Sequence, residues 1–340
     1  MSNSTNDRKI EHIRVIEEDP DTDRQGDHFA SWHLMHRALP EIDYAEVDPG
    51  VSFLGKRLSF PLLISSMTGG DHELVLRVNR NLAQAAEATG VAMGVGSQRV
   101  MFTHPESCNS FALRQWAPTT VLLGNLGAVQ LNYGFGLEEA QSAINIMQAD
   151  GLFLHLNPLQ EAVQPEGDRN FKGLAAKIAA LQAELTTPLI LKEVGCGMTP
   201  ADIELGLAAG IRYFDLAGSG GTSWSRIEHH RRGRGDLGLR MQDWGIPTPV
   251  ALEWARPYQE RATFIASGGL RNGLDMIKSV ILGGSLCGLA APLLKPAMES
   301  AEAVIAVIEG VKQEFTTAMF LLGVTRVEQL HLNDALLWRR

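Results

Sequence analysis

The sequence predicts an α/β chain folded as a single TIM-type (βα)8 barrel, with an N-terminal arm before the barrel and helices after it. Three observations carry that expectation. Eight short apolar runs recur along the chain, most of them end in Gly, Ser or Asn, and the stretches between them place apolar residues three and four apart. A length of 340 residues suits one barrel with added terminal segments.

The expected strands, in order, are LLISSM from Leu62, VAMGVG from Val91, VLLGNL from Val121, GLFLHL from Gly151, LILKEV from Leu189, YFDLAG from Tyr213, FIASGG from Phe264 and SLCGLA from Ser285. Each reads as a buried parallel strand, apolar on both faces. Helical patterns separate them: LVLRVNRNLAQAAEATG, LEEAQSAINIMQADG, FKGLAAKIAALQAEL, TPADIELGLAAG and LDMIKSVILGG, several ending in the Gly that closes a helix. Strand–helix alternation selects a parallel sheet, and eight units favour a closed barrel over an open one. Two insertions break the rhythm, residues 157–170 after the fourth strand and residues 219–260 after the sixth, and both belong on the catalytic face.

Residues 1–50 form a polar arm with a short helix expected over residues 31–38, and residues 51–340 form the barrel with its C-terminal helices. The last stretch, AEAVIAVIEGVKQEFTTAMFLLGVTRVEQL, reads as one long amphipathic helix, a Gly at Gly323 and a short closing helix. A formal net charge of -9 opposes general binding to nucleic acid or to an anionic membrane, so an anionic ligand must be captured by local groups. The polar, acidic N-terminus has no secretory signal pattern, and no run is apolar enough to span a bilayer. Three cysteines, Cys108, Cys196 and Cys287, are too scattered for a disulfide framework or a paired metal site. A cytoplasmic protein is expected.

The chemistry-bearing residues cluster at strand ends. ASGGLRNG and SLCGLAAP, after strands seven and eight, put Gly268, Gly269, Ala290 and Ala291 where small residues let backbone amides reach a phosphate. AGSGGTSW after strand six adds Thr222. Tight packing of helix on strand is the alternative reading of such glycines. Strand one ends SSMTGG, where Thr68 and Gly69 would let a flat ring approach the backbone, and strand three offers Asn125. Lys192 lies within strand five among apolar neighbours and calls for an anionic partner. That partner is either an electron-rich reduced flavin or a structural ion pair with Glu193 or Asp215. One phosphate, one flat ring and one lysine fit FMN.

Strand four ends HLNPLQEAVQPEGD, bringing His155, Asn157, Gln160 and Glu161 to the rim. Glu161 has the character of a ligand to a hard cation, since Mg²⁺ is commonly held by one carboxylate plus substrate phosphates. GVGSQR at strand two presents Ser97, Gln98 and Arg99, the last a good phosphate donor. Arg8 and Lys9, by themselves, read as solvated tail residues. The basic run SWSRIEHHRRGRG reads as a mobile rim loop rather than a nucleic-acid patch, because its few positive charges sit in an acidic protein and it lacks interleaved aromatics beyond Trp224.

Taken together, RKxxH from Arg8, SSMTGG, GVGSQR, GNLG, HLNPLQE, KEVGCGM, GSGGTSW, WGIPT and ASGGLRNG resemble the type 2 isopentenyl diphosphate isomerases over nearly the whole chain. The order of GSQR, HLNxxQE and KEVG is the specific part. The resemblance implies an enzyme that interconverts isopentenyl and dimethylallyl diphosphate using reduced FMN and Mg²⁺, with NADPH or NADH priming the flavin and no net redox change. It implies FMN binding by Met67, Thr68, Gly69, Ser97, Asn125, Lys192, Thr222, Gly268, Gly269, Leu270, Ala290 and Ala291. Substrate would meet Arg8, Lys9, Ser97, Gln98, Arg99, Asn157 and Gln160, with the metal on Glu161 and with Gln160 and His155 shaping the proton path. A homotetramer or homo-octamer is implied as well, with the arm as a lid. Cys196 and Ala291 fall where family members often differ, and neither removes a needed group. The competing expectations are an FMN oxidoreductase of the 2-hydroxy-acid oxidase or inosine monophosphate dehydrogenase kind, and a non-catalytic flavin-binding barrel.

Overall fold

In the barrel each strand is a short apolar run buried on both sides, so it satisfies its backbone only by pairing with a neighbour on each edge. Eight such strands close on one another: β1 (Leu62–Ile64), β2 (Ala92–Gly94), β3 (Leu122–Gly127), β4 (Gly151–Leu156), β5 (Leu189–Glu193), β6 (Tyr213–Asp215), β7 (Thr263–Ser267) and β8 (Leu286–Leu289). All eight ladders are parallel, and β8 returns to pair with β1. The eight expected runs are therefore the eight strands. The computed structural model describes residues 4–24, 26, 28–232 and 235–339, the side chains of residues 4–8 and 232 excepted.

The helices are α1 (Ser4–Glu18), α2 (Glu73–Thr89), α3 (Leu137–Met147), α4 (Pro158–Val163), α5 (Leu174–Glu184), α6 (Pro200–Ala208), α7 (Trp224–Arg232), α8 (Leu237–Arg240), α9 (Thr248–Ala255), α10 (Gly273–Ile281), α11 (Ala291–Glu299) and α12 (Ala301–Leu322). Helix α2 ends on Gly90 and α12 on Gly323, both left-handed, as the sequence suggests. One apolar core lies between the strands and the outer helices. A second fills the barrel interior with Leu63, Ala92, Leu123, Phe153, Ile190, Ile265 and Leu286.

The interior core is sealed from below by a hairpin, Val51–Phe53 paired with Lys56–Leu58. Its turn residues Leu54 and Gly55 both have positive φ (47° and 76°), as a tight two-residue hairpin turn demands. Phe53 and Leu58 are thereby buried in the barrel bottom.

Four expectations change. The short helix over residues 31–38 is instead a strand, Trp32–Leu34, antiparallel to Leu337–Arg339, with His33 stacked on Trp338 at 4.2 Å between ring centroids. Trp and His side chains gain more from cross-strand stacking than from an isolated helix of about two turns. The polar start of the arm is the 15-residue helix α1, whose Ile10, Ile13 and Ile16 share one face. The run expected as a mobile rim loop begins with helix α7, because it packs against α1 and gains partners for its charges there; residues 233 and 234 lie outside the described set. After Gly323 the chain forms a 3-10 turn, Val327–Gln329, before the closing strand. Among the described residues, no helix is long and apolar enough to cross a membrane.

Candidate active site

The C-terminal strand ends surround a cavity of about 220 Å³, whose lining also includes Lys9, His12, Ile13 and Ile16 of α1. On the side of β7 and β8 the wall is backbone. Gly268 and Gly269 have φ of 93° and 82°, and a Cβ on Gly268 would stand 2.0 Å from the Gly218 carbonyl oxygen. Their smallness is thus required by packing against the β6 loop, and the same packing brings them to the cavity together with Gly221, Thr222, Ala290 and Ala291. Ala290 caps α11, so this helix directs its N-terminal amides toward the same region.

The arm is fastened across this wall. Arg24 donates from its guanidinium to the carbonyl oxygens of Gly221 (2.9 Å), Gly195 (2.7 Å), Thr222 (3.2 Å) and Gln242 (3.2 Å). Arg271 donates to Asp23 at 2.7 Å and to the Gly220 carbonyl at 3.2 Å.

The floor is polar but internally paired. Lys192 Nζ donates to Asp215 Oδ2 at 2.6 Å, and Ser267 Oγ donates to Asp215 Oδ1 at 2.5 Å. Of the two acidic candidates for the lysine, Asp215 is the partner. Glu193 instead accepts from the amides of Val194, Gly195 and Cys196 through one oxygen, at 2.6, 2.7 and 2.5 Å. Burial raises its pKa to about 7 against the pull of those three amides and of Lys192. Its loop sets Val194 and Gly195 in the cavity wall.

The β4 rim carries a connected polar network. Asn125 Nδ2 donates to the Val95 carbonyl at 3.0 Å, so Asn125 Oδ1 accepts from His155 Nδ1 at 2.7 Å. In the neutral form of the ring this bond places the proton on Nδ1. Asn157 Nδ2 donates to Gln160 Oε1 (3.0 Å) and to Glu161 Oε1 (2.9 Å), while Glu161 Oε2 accepts from the Asp168 amide at 2.6 Å. Gln160 Nε2 donates to Glu228 Oε1 at 2.8 Å. The amide of Gln160 is therefore held at both ends in one orientation.

Glu228 is a functional candidate that the sequence reading passed over. It is fully buried and also meets His12 Nε2 at 3.2 Å and Arg231 Nη1. Burial by itself would raise its pKa, but hydrogen bonds and charge from His12, Arg231 and Gln160 outweigh that and lower it to about 2. Burial pulls His12 down to about 4, against the opposing carboxylate, leaving a neutral ring at pH 7. An available signal was the Glu228/Arg231 spacing, three apart on one helix face, beside the His of RKxxH.

The structure brings Lys9, Met67, Thr68, Ser97, Arg99, Asn125, His155, Asn157, Gln160, Glu161, Lys192, Thr222, Gly268, Gly269, Leu270, Ala290 and Ala291 to one cavity. Two expected residues are not brought to it. Gln98 is fully buried in the wall, donating to the Ala143 carbonyl and accepting from the Asn125 amide, so its amide is consumed in structure. Gly69 lies behind the lining, where a Cβ would strike the Phe111 ring at 2.4 Å. The Arg8 side chain is outside the described residues. Arg99 is salt-bridged to Asp168 at 2.7 Å.

The family model described as FMN-dependent dehydrogenase matches residues 139–339. An isopentenyl-diphosphate delta-isomerase of Hydrogenovibrio crunogenus is 58% identical over 333 residues, covering 97% of each chain. The chain belongs to the isopentenyl-diphosphate delta-isomerase family. The isomerases of Paracoccus zeaxanthinifaciens (58% identity, 97% of this chain and 96% of that one) and Thermococcus kodakarensis (42%, 95% and 89%) extend the likeness. Among solved structures, the recombinant flavin-binding domain of baker's yeast flavocytochrome b2 superimposes with a TM-score of 0.68 at 17% identity, covering 97% of this chain and 79% of that one. A mandelate oxidase carrying an FMN adduct gives 0.63 at 15%, covering 98% and 91%. These two show the fold alone.

As a member of this isomerase family the chain is an enzyme, and FMN is the cofactor of its FMN-dependent domain. The residues present fit that group. Ser65 Oγ, Thr68 Oγ1 and Asn157 Oδ1 are buried, line the cavity and have no hydrogen-bond partner among the described residues, so they offer polar contacts to a ligand. A glycine-lined wall at a helix N-terminus suits the phosphate, and Lys192 supplies positive charge beneath the opening.

Proposed function

We propose that the protein interconverts isopentenyl and dimethylallyl diphosphate by allylic proton transfer, with reduced FMN and Mg²⁺ in the cavity. The observation that carries this reading is the juxtaposition of a phosphate-type backbone wall with the Asn157–Gln160–Glu161 network and the α1 cation Lys9 around one opening. Gly268, Gly269, Leu270, Thr222, Ala290 and Ala291 would hold the FMN phosphate, and Met67, Thr68, Ser97, Asn125 and Lys192 its ring. Bound there in reduced form, FMN supplies an electron-rich ring edge able to exchange a proton beside a carbocation-like transition state.

The protein's own part is orientation and charge. Lys9, Arg99 and Arg8 would anchor the diphosphate, with Glu161 and substrate oxygens sharing Mg²⁺. No group of three or more His, Cys, Asp or Glu suited to a metal occurs among the described residues, and a one-carboxylate site is how Mg²⁺ is held when phosphates complete its shell. Remote diphosphate binding then fixes the alkene, a very weak base, against the reacting edge. Gln160, held between Asn157 and Glu228, and His155, with Nε2 as acceptor, would border the proton path. With α1 bounding the cavity, the arm of residues 1–50 would act as a lid that excludes water.

Priming by NADPH or NADH, a cytoplasmic site of action and a homotetrameric or homo-octameric assembly belong to the same reading. An anaerobic assay with FMN, Mg²⁺ and NADPH tests the proposal. Isopentenyl diphosphate should isomerise only after the flavin is reduced, and without consuming further reductant. Full turnover with strictly oxidised FMN would sink the reduced-flavin reading, and reduction of the flavin by substrate would favour an oxidoreductase.

A further inference from the structure

Lys192 and Asp215 are direct cross-strand partners on β5 and β6, and Ser267 ends β7, next along the barrel. Their side chains meet in one chain of contacts, Lys192 Nζ to Asp215 Oδ2 at 2.6 Å and Ser267 Oγ to Asp215 Oδ1 at 2.5 Å. Lys192 and Ser267 line the cavity, whereas Asp215 is fully buried and does not. The apolar Phe153 ring lies beside the ammonium at 5.5 Å. The ring carries no charge, and the Asp215 carboxylate is the ion-pair partner of that ammonium.

The same carboxylate opposes part of the field that Lys192 projects into the cavity. We propose that Asp215 is a positioning residue that sets the electron affinity of the bound flavin, by aiming the Lys192 ammonium and moderating its charge. This rests on the FMN reading above. Taking up two electrons and one proton (FMN + 2e⁻ + H⁺ → FMNH⁻) leaves the cofactor with one more negative charge. Lys192 therefore favours the reduced form, and Asp215, behind it, disfavours that form.

The test is a spectroelectrochemical titration of the FMN-loaded full chain, with flavin binding first measured by fluorescence quenching. Asp215→Asn keeps an oxygen for Nζ but removes the negative charge. The reduced form should then gain about tenfold over the oxidised in relative affinity, a rise of about 30 mV for a two-electron couple. Asp215→Glu should return the potential toward the parent value. Ser267→Ala, which removes a donor to the carboxylate and is the milder change should the Asp215 variants fail to fold, should move the potential down. A parent protein that binds no FMN would overturn the cofactor reading and this inference with it. A parent that binds FMN, with an Asp215→Asn potential unchanged or lower, would overturn this inference alone, as would a Ser267→Ala potential that is unchanged or higher.

Discussion

The two ends of the barrel use the same eight strands and differ in what closes them. At the N-terminal end a local hairpin inserts Phe53 and Leu58 into the apolar interior. At the C-terminal end the closure is brought from far along the chain. Helix α1 meets α7 through His12–Glu228 and Arg231–Glu11, and the segment after it is fastened by Arg226 to Asp19 at 2.6 Å. Apolar closure is insensitive to pH and ligand. Closure through buried charges depends on protonation, and it borders a cavity lined by Ser65, Thr68 and Asn157. One end therefore holds the fold, and the other holds the chemistry.

The largest effect that would sharpen this contrast comes from Phe53→Ala. Truncating a buried aromatic that also meets Tyr213 edge-on at 5.8 Å should cost about 3–5 kcal/mol of stability. Denaturant unfolding would measure it, with kcat of the folded fraction nearly unchanged; a comparable loss of kcat would break the separation of the two ends.

Next in size is the pH dependence of the upper closure. His12 titrates at about 4 when folded against an ordinary 6.5, so between those values the unfolded chain binds a proton that the folded one does not. Its contribution, roughly 3 kcal/mol, is complete above about pH 6.5 and is lost as pH falls toward 4. Glu193 runs the opposite way, since a pKa raised to about 7 favours the folded state at low pH and forfeits that contribution as pH rises from 4.5 through 7. Amide exchange in α1 should accelerate as pH falls through this window, after correction for intrinsic rates, while the hairpin stays protected. Replacing His12 with Asn should flatten the α1 response, and an unaltered slope would remove His12 from the closure.

How far these ends were legible in the sequence follows the same division. All eight strands could be read because a strand buried on both faces must be an apolar run, a local property. The phosphate-type wall was legible for a related reason, since close backbone approach leaves Gly and Ala behind. The upper closure was not. Glu228 and His12 are 216 residues apart, and either one alone reads as a solvated charge on a polar helix. Gln98 misled in the other direction: its motif neighbours Ser97 and Arg99 do line the cavity, but its own side chain turns into the wall. The Trp32–Leu34 strand depended on a partner at the far end of the chain, which no local propensity carries.

Within the polar end, Gln160→Ala should lower kcat about 100-fold, equivalent to about 2.7 kcal/mol, while FMN affinity changes little. Its amide is locked by Asn157 and Glu228 rather than by the phosphate wall. Steady-state kinetics beside a flavin titration would separate these quantities, and flavin loss matching the loss of kcat would contradict the role given.

The smallest effect concerns Glu161. Its two oxygens already accept from Asn157 and from the Asp168 amide, so the carboxylate is fixed in place before any metal arrives, and Gln at this position keeps the shape but loses the charge. Because Mg²⁺ would take most of its remaining ligands from substrate oxygens and water, removing one carboxylate should weaken the metal without abolishing it. Glu161→Gln should raise the Mg²⁺ concentration for half-maximal rate about tenfold, or about 1.4 kcal/mol, with FMN binding and α1 protection unchanged. A metal titration at saturating isopentenyl diphosphate measures this. An unchanged requirement would take Glu161 out of the metal site, and its hydrogen bonds to Asn157 and Asp168 would then make it a brace for the β4 rim.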